Sequence, residues 1–82
     1  NTPLHLAARY GLTEIVNELI NAGVDLNIKN QCDWTPLHYA SYGVKSKIVD
    51  MLISTEGIDV NIKDKHGQTP LQTLLGYNRI YI

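Results

Sequence analysis

The amino-acid sequence predicts an all-α repeat solenoid, built of helix-turn-helix units joined by polar hairpin-like loops. Three observations carry that expectation. The chain is self-similar: Thr2 recurs as Thr35 and the pair Ile15-Val16 as Ile48-Val49, a step of 33, whereas Asn27 recurs as Asn61 and Thr35 as Thr69, a step of 34. Each copy opens on Thr-Pro, at Thr2, Thr35 and Thr69. Each full copy then carries an apolar stripe at helical spacing, Ile15, Val16, Leu19 and Ile20 in the first and Ile48, Val49, Leu52 and Ile53 in the second. Such a period in a chain of 82 residues implies stacked supersecondary units that bury their apolar stripes against one another.

The elements follow in order. Threonine is a good N-cap, and proline suits the first helical position because its missing N–H would be orphaned there anyway, so each Thr-Pro opens a helix. The first helix is expected from Pro3 to Tyr10, ended by Gly11 in the left-handed conformation. Gly43 is expected to end the corresponding helix of the second copy, a residue early, and Asn78 stands opposite Gly11 in the third. The apolar stripe makes the second helix of each copy amphipathic. Thr13 is a candidate cap for the first of these helices, and Gly23 and Gly57 are candidates to close the two of them. Ala7, Ala8 and Ala40 allow neighbouring helices to approach closely. Leu74 and Leu75 replace such small residues in the third copy and mark it as terminal or atypical. The polar segments Asn27 to Asp33 and Asn61 to Gly67 read as loops, in which Gly67 suits a turn and Asp33 suits it less. One residue inserted within Ser54 to Glu56 accounts for the change of step. The units divide the chain at 1–29, 30–63 and 64–82, the first without its leading turn and the third partial, as a fragment of a longer protein would be.

The openings Thr2-Pro3-Leu4-His5 and Thr35-Pro36-Leu37-His38, the pair Ala7-Ala8, the Ile-Val pairs, the glycines before Val24-Asp25 and Ile58-Asp59, and the endings Asp25-Leu26-Asn27 and Asp59-Val60-Asn61 resemble the ankyrin repeat. The resemblance covers essentially the whole chain. It implies ankyrin-type units whose hairpin loops project at right angles to the helices. Hairpin tips and first-helix surfaces would then line one concave face. It also implies that His5 and His38 tie each Thr turn to a neighbouring loop. Asn27, with Leu19 upstream, matches the context in which some family members are modified by an intracellular asparagine hydroxylase; the insertion disturbs that spacing before Asn61.

Composition narrows the function classes. Hydrophobic residues make up 44% and charged residues 18%, with a net charge of -1. That content suits a packed core, and that charge leaves no footprint for a nucleic-acid backbone or an anionic membrane. Apolar runs of two or three residues do not span a bilayer. The single Cys32 excludes an internal disulfide and fits a reducing compartment, so an intracellular, cytoplasmic location is expected. About three stacked repeats are usually needed for stability. Marginal stability, with self-association through uncapped ends, is therefore expected.

Candidate chemistry is sparse. His5 and His38 sit at equivalent places in successive units, about 8–10 Å apart, too far for one zinc ion whose ligands lie about 2 Å away. Gln72 holds that place in the third copy. Cys32 lies in a loop six residues before His38, without an evident base or orienting group. Asp25 and Asp59 recur once per unit, which argues for turns and against a catalytic pair. No nucleotide, zinc-protease or paired-cysteine motif occurs. The chain is therefore expected to be no enzyme, with no cofactor and no metal.

Exposed aromatic residues remain, and Tyr and Trp favour binding surfaces because they combine area with a polar tip. Trp34 stands before a Thr-Pro helix start, and Tyr10, Tyr42 and Tyr77 stand near the ends of first helices. Placed on the concave face, they form an aromatic row interspersed with Arg9, Lys29, Gln31, Lys63, Lys65 and His66. The leading expectation is a non-catalytic module that binds a protein partner there, with no nucleic acid and no membrane. The rival is a structural spacer within a larger multidomain protein, the aromatic residues serving as packing. A nucleic-acid binder comes third, opposed by the net charge.

Overall fold

The computed structural model describes residues 1–74, so the expectations for Leu75, Tyr77 and Asn78 lie outside the described residues. Five helices follow in order: α1 (Pro3–Tyr10), α2 (Thr13–Asn21), α3 (Pro36–Tyr42), α4 (Ser46–Ile53) and α5 (Pro70–Leu74). All regular structure among the described residues is helical. Helix α1 packs on α3 and α3 on α5, while α2 packs on α4. The first helices thus form one row and the second helices a row behind it. Buried apolar side chains lie between the rows: Leu4, Ala7, Ala8 and Val16 from the first copy, with Leu26 beneath them, and Leu37, Ala40, Ile48 and Leu52 from the second.

The first helices start as expected. Thr2 and Thr35 are extended N-caps whose hydroxyls accept the His5 and His38 backbone N–H at 3.3 Å. Helix α1 runs from Pro3 to Tyr10 and ends on Gly11 at φ 73°. The second helices start differently. Thr13 is the first residue of α2, and the cap position belongs to Leu12, which makes no side-chain hydrogen bond. The α1–α2 connection is too short to leave a residue for capping: the Leu12 N–H already bonds the Ala7 carbonyl at 2.9 Å.

The end of α3 also departs from expectation. Gly43 lies at φ -84°, and Val44 takes the left-handed conformation at φ 54°. Stacking register explains this. The Val44 and Lys45 N–H groups bond the Ser41 and Ala40 carbonyls, as the Gly11 and Leu12 groups bond those of Ala8 and Ala7. The turn stays at the same depth in each copy, and the sequence has its glycine one residue too early. A β-branched residue is a poor fit there. Val44 is 61% exposed and has little packing to lose. Val44→Gly is therefore expected to stabilise the chain by about 1 kcal/mol, raising the thermal midpoint by several degrees. An unchanged or lower midpoint would show that the strain is not there.

The insertion is absorbed behind α4. Gly23 follows α2 at φ 79°, as expected of a closing residue. Helix α4 instead ends on Ser54, and Gly57, at φ 93°, forms a separate turn in which the Ile58 N–H bonds the Thr55 carbonyl. The extra residue widens this turn and leaves the helices in step.

Among the described residues, the outer copies carry exposed apolar side chains. Leu4 and Leu37 are each 2% exposed, but Leu71, the same position in the third copy, is 60% exposed. At the other end Ile15 is 44% exposed, whereas its equivalent Ile48 is 1% exposed.

Candidate functional site

The face formed by the first helices and the loops is organised by two histidines. The Nδ1 atom of His5 accepts the Thr2 N–H at 3.1 Å and lies 2.8 Å from the Thr2 hydroxyl. Because Nδ1 accepts an N–H, the ring proton sits on Nε2, which donates to the Trp34 carbonyl at 2.7 Å. His38 repeats the pattern, with Nδ1 at 3.1 Å from the Thr35 nitrogen and Nε2 at 2.9 Å from the Gln68 carbonyl. Each imidazole therefore caps its own helix and holds the next copy's loop. In the third copy the Gln72 Oε1 accepts the Thr69 N–H at 2.8 Å. Glutamine thus keeps the cap.

Both imidazoles are fully buried. Burial pushes their pKa values below the ordinary imidazole value, and the carbonyl each one bonds opposes this without reversing it. Protonation would place a hydrogen on Nδ1, facing the threonine N–H. The unfolded chain, with histidines near pH 6.5, therefore takes up protons first. Stability is full above that value and falls as pH drops from about 6.5 through the lower folded-state values. The thermal midpoint is expected to fall between pH 7.5 and 5.5, and the slope to flatten in a His5→Gln, His38→Gln variant. An equal slope in that variant would place the effect elsewhere.

The loops are built on Asn30 and Asp64, neither of which stood out in the sequence. The Asn30 Oδ1 accepts the Cys32 and Trp34 N–H groups at 2.9 and 3.0 Å. The Asp64 Oδ1 accepts those of His66 and Gln68 at 2.8 and 2.9 Å. The Asn30 N–H bonds the Trp34 carbonyl and the Asp64 N–H the Gln68 carbonyl, both at 2.9 Å, closing two equivalent hairpin-like turns. At their tips Asp33 and Gly67 have φ 61° and 78°. Asp33 thus bears the strain expected of it. The signal was an Asn or Asp recurring at a step of 34, two and four residues before the N–H groups that it receives.

Trp34 is half-buried between the copies. Its Nε1 donates to the Asp64 Oδ2 at 2.8 Å, across to the following loop. Its ring stacks on His38 at 5.7 Å, meets Tyr39 edge-on at 4.9 Å and lies 5.5 Å from Tyr42. Burial alone would raise the Asp64 pKa; the hydrogen bonds from the Gln68 N–H, the Trp34 indole and the His66 N–H outweigh it and hold the carboxyl below the usual range. Tyr39, absent from the expected site, joins these rings, and its hydroxyl accepts from the Asn30 Nδ2 at 2.8 Å.

The other expected residues stand nearer solvent. Tyr42 is 48% and Tyr10 61% exposed, and the Arg9 guanidinium sits 5.4 Å from the Tyr10 ring centroid. Gln31 and the free Cys32 occupy the first loop tip, and Lys29, Lys63, Lys65 and His66 are exposed on the loops. Tyr77 lies outside the described residues. The Asn27 Nδ2 donates to the Gly57 carbonyl at 2.9 Å, and its Oδ1 accepts the Asp59 N–H at 2.7 Å, so the amide bridges two copies. Asp25 and Asp59 accept the N–H groups of Asn27 and Asn61 at 2.9 Å, as turn residues do. Among the described residues, no group of three His, Cys, Asp or Glu could hold a metal ion, and no helix is long and apolar enough to cross a membrane.

Comparison with known proteins agrees with the geometry. A family model described as ankyrin repeats, in three copies, matches residues 1–81. The chain is 38% identical over 76 residues to Rabankyrin-5 of Mus musculus, covering 93% of the chain and 6% of that protein. It is 40% identical over 80 residues to protein phosphatase 1 regulatory subunit 12A of Mus musculus, covering 93% of the chain and 8% of that protein. It is 35% identical over 69 residues to transient receptor potential cation channel subfamily A member 1 of Homo sapiens, covering 84% of the chain and 6% of that protein. The chain thus spans less than a tenth of the length of these relatives.

Proposed function

The chain belongs to the ankyrin repeat family, and on that premise we propose that its row of first helices and loops is a preformed surface for a protein partner. Ankyrin repeats are generally protein-interaction modules and generally non-catalytic. The observation that carries the finer reading is the aromatic cluster. Tyr42 is half exposed, yet its ring is backed by Trp34, which His38 and Tyr39 hold in turn. A rigid aromatic surface loses little side-chain entropy on binding. Tyr42 is the expected anchor, with the exposed Arg9 and Tyr10 on the neighbouring first helix and the exposed loop residues at the rim.

Affinity capture from cell extract tests this, with the chain compared against an Arg9→Ser, Tyr42→Ser variant. Both positions are exposed, so the variant is expected to keep its circular dichroism spectrum, with a thermal midpoint lowered only by loss of the contact between Tyr42 and Trp34. A protein retained by the parent and lost by the variant supports the reading. Capture of the same set by both, or of nothing, overturns it. A second reading, a spacer within a longer chain, is favoured by Trp34, whose indole N–H is already engaged by Asp64.

A further inference from the structure

Charge is divided unevenly between the two rows. The first helices and hairpin-like loops carry Arg9, Lys29, Lys63 and Lys65 against Asp33 and Asp64. Among the described residues, the second helices and the turns that leave them carry Glu14, Glu18, Asp25, Asp50, Glu56 and Asp59, opposed by Lys45 and Lys47. The net charge of -1, which also counts Arg79 outside the described residues, conceals this division. Asp64 scarcely offsets the cations of its row at the surface, because it is 6% exposed and its two oxygens accept the Trp34 indole and two backbone N–H groups. The three lysines are exposed.

Resting on the protein-binding reading above, we propose that this face receives an acidic, extended segment of a partner protein. Lys29 and Lys63 hold equivalent places in successive copies, and packed helices stand about 8–10 Å apart. An extended chain advances about 3.3 Å per residue, so carboxylates three residues apart meet successive copies. Tyr10 and Tyr42 offer apolar contact to the residues between them. The acidic second row repels the same ligand, so approach is steered to one side. A nucleic-acid strand fits less well. Its affinity rests on many closely spaced phosphate contacts, and here the cations come one or two to a copy, with Asp33 among them.

The test is fluorescence anisotropy with a labelled peptide of about twelve residues, enough to cross three copies. Its sequence repeats Glu-Ser-Leu; control peptides repeat Gln-Ser-Leu or Lys-Ser-Leu, and a thymidine oligonucleotide carries the same number of charges. The glutamate peptide is expected to bind. Binding should weaken roughly tenfold in a Lys29→Gln, Lys63→Gln, Lys65→Gln variant, and with rising salt. These substitutions leave every buried contact in place. Equal binding of the glutamine peptide, or no peptide binding at all, overturns the acidic specificity, while the Arg9 and Tyr42 capture experiment still decides whether the face binds protein. Tighter binding of the oligonucleotide overturns it in favour of nucleic acid.

Discussion

Replacing His38 by alanine is expected to lower stability by about 3 kcal/mol, a large share of what a small domain has. The ring is fully buried, and Thr35, which it caps, is 1% exposed. Its loss removes the Nδ1 acceptor from the Thr35 N–H and hydroxyl, and the Nε2 donor from the Gln68 carbonyl. Each buried polar group left without a partner costs about 1–3 kcal/mol. The stacking partner of Trp34 goes as well. His38→Gln is expected to recover the capping share, because the Gln72 side chain already serves Thr69 in that way. Urea denaturation of the three proteins measures both differences. A His38→Ala variant within about 0.5 kcal/mol of the parent, the scatter of ordinary surface changes, would contradict the role assigned to these hydrogen bonds.

Trp34→Ala is expected to cost a similar amount, about 3 kcal/mol. Large aromatic truncations in cores cost about 3–5 kcal/mol, and Trp34 is only half-buried, but its Nε1 is the side-chain donor to Asp64. Removing it leaves that nearly buried carboxylate short of a partner. A double-mutant cycle with Asp64→Asn separates the two contributions. Coupling of about 1 kcal/mol or more is expected, since the hydrogen bond is charge-assisted. Negligible coupling, together with an unchanged midpoint for Trp34→Ala, would make Trp34 a surface residue. This bears directly on function: a Trp34 variant that no longer binds a partner has not shown that Trp34 touches it, because the variant also loosens two copies. Arg9 and Tyr42 are the cleaner probes.

Much of the fold is legible in the sequence because the repeat states each element twice. The Thr-Pro starts, the end of α1 at Gly11 and the burial of Val16, Ile48 and Leu52 follow from local rules. Those rules fail where register overrides preference. Gly43 has the chemistry of a left-handed residue, but stacking places that turn at Val44. Thr13 has the chemistry of a cap, but the α1–α2 turn leaves it already inside α2. The site is less legible for a different reason. Whether Trp34 faces solvent or a neighbour depends on Asp64, thirty residues on, and that pairing appears only once the copies are stacked. The exposures of Tyr10 and Tyr42 likewise depend on what the next unit covers.

The imidazole bonds give the stack a direction. The ring protons of His5 and His38 both point from one copy toward a carbonyl of the copy after it. Cutting the chain after the second copy would strip a donor of its acceptor beside a buried cap. Cutting after the first would free, for the remaining copies, the Trp34 carbonyl that His5 holds and the Gly57 carbonyl and Asp59 N–H that Asn27 holds. The ladder is thus a vector: its imidazole donors and carbonyl acceptors run one way along the chain.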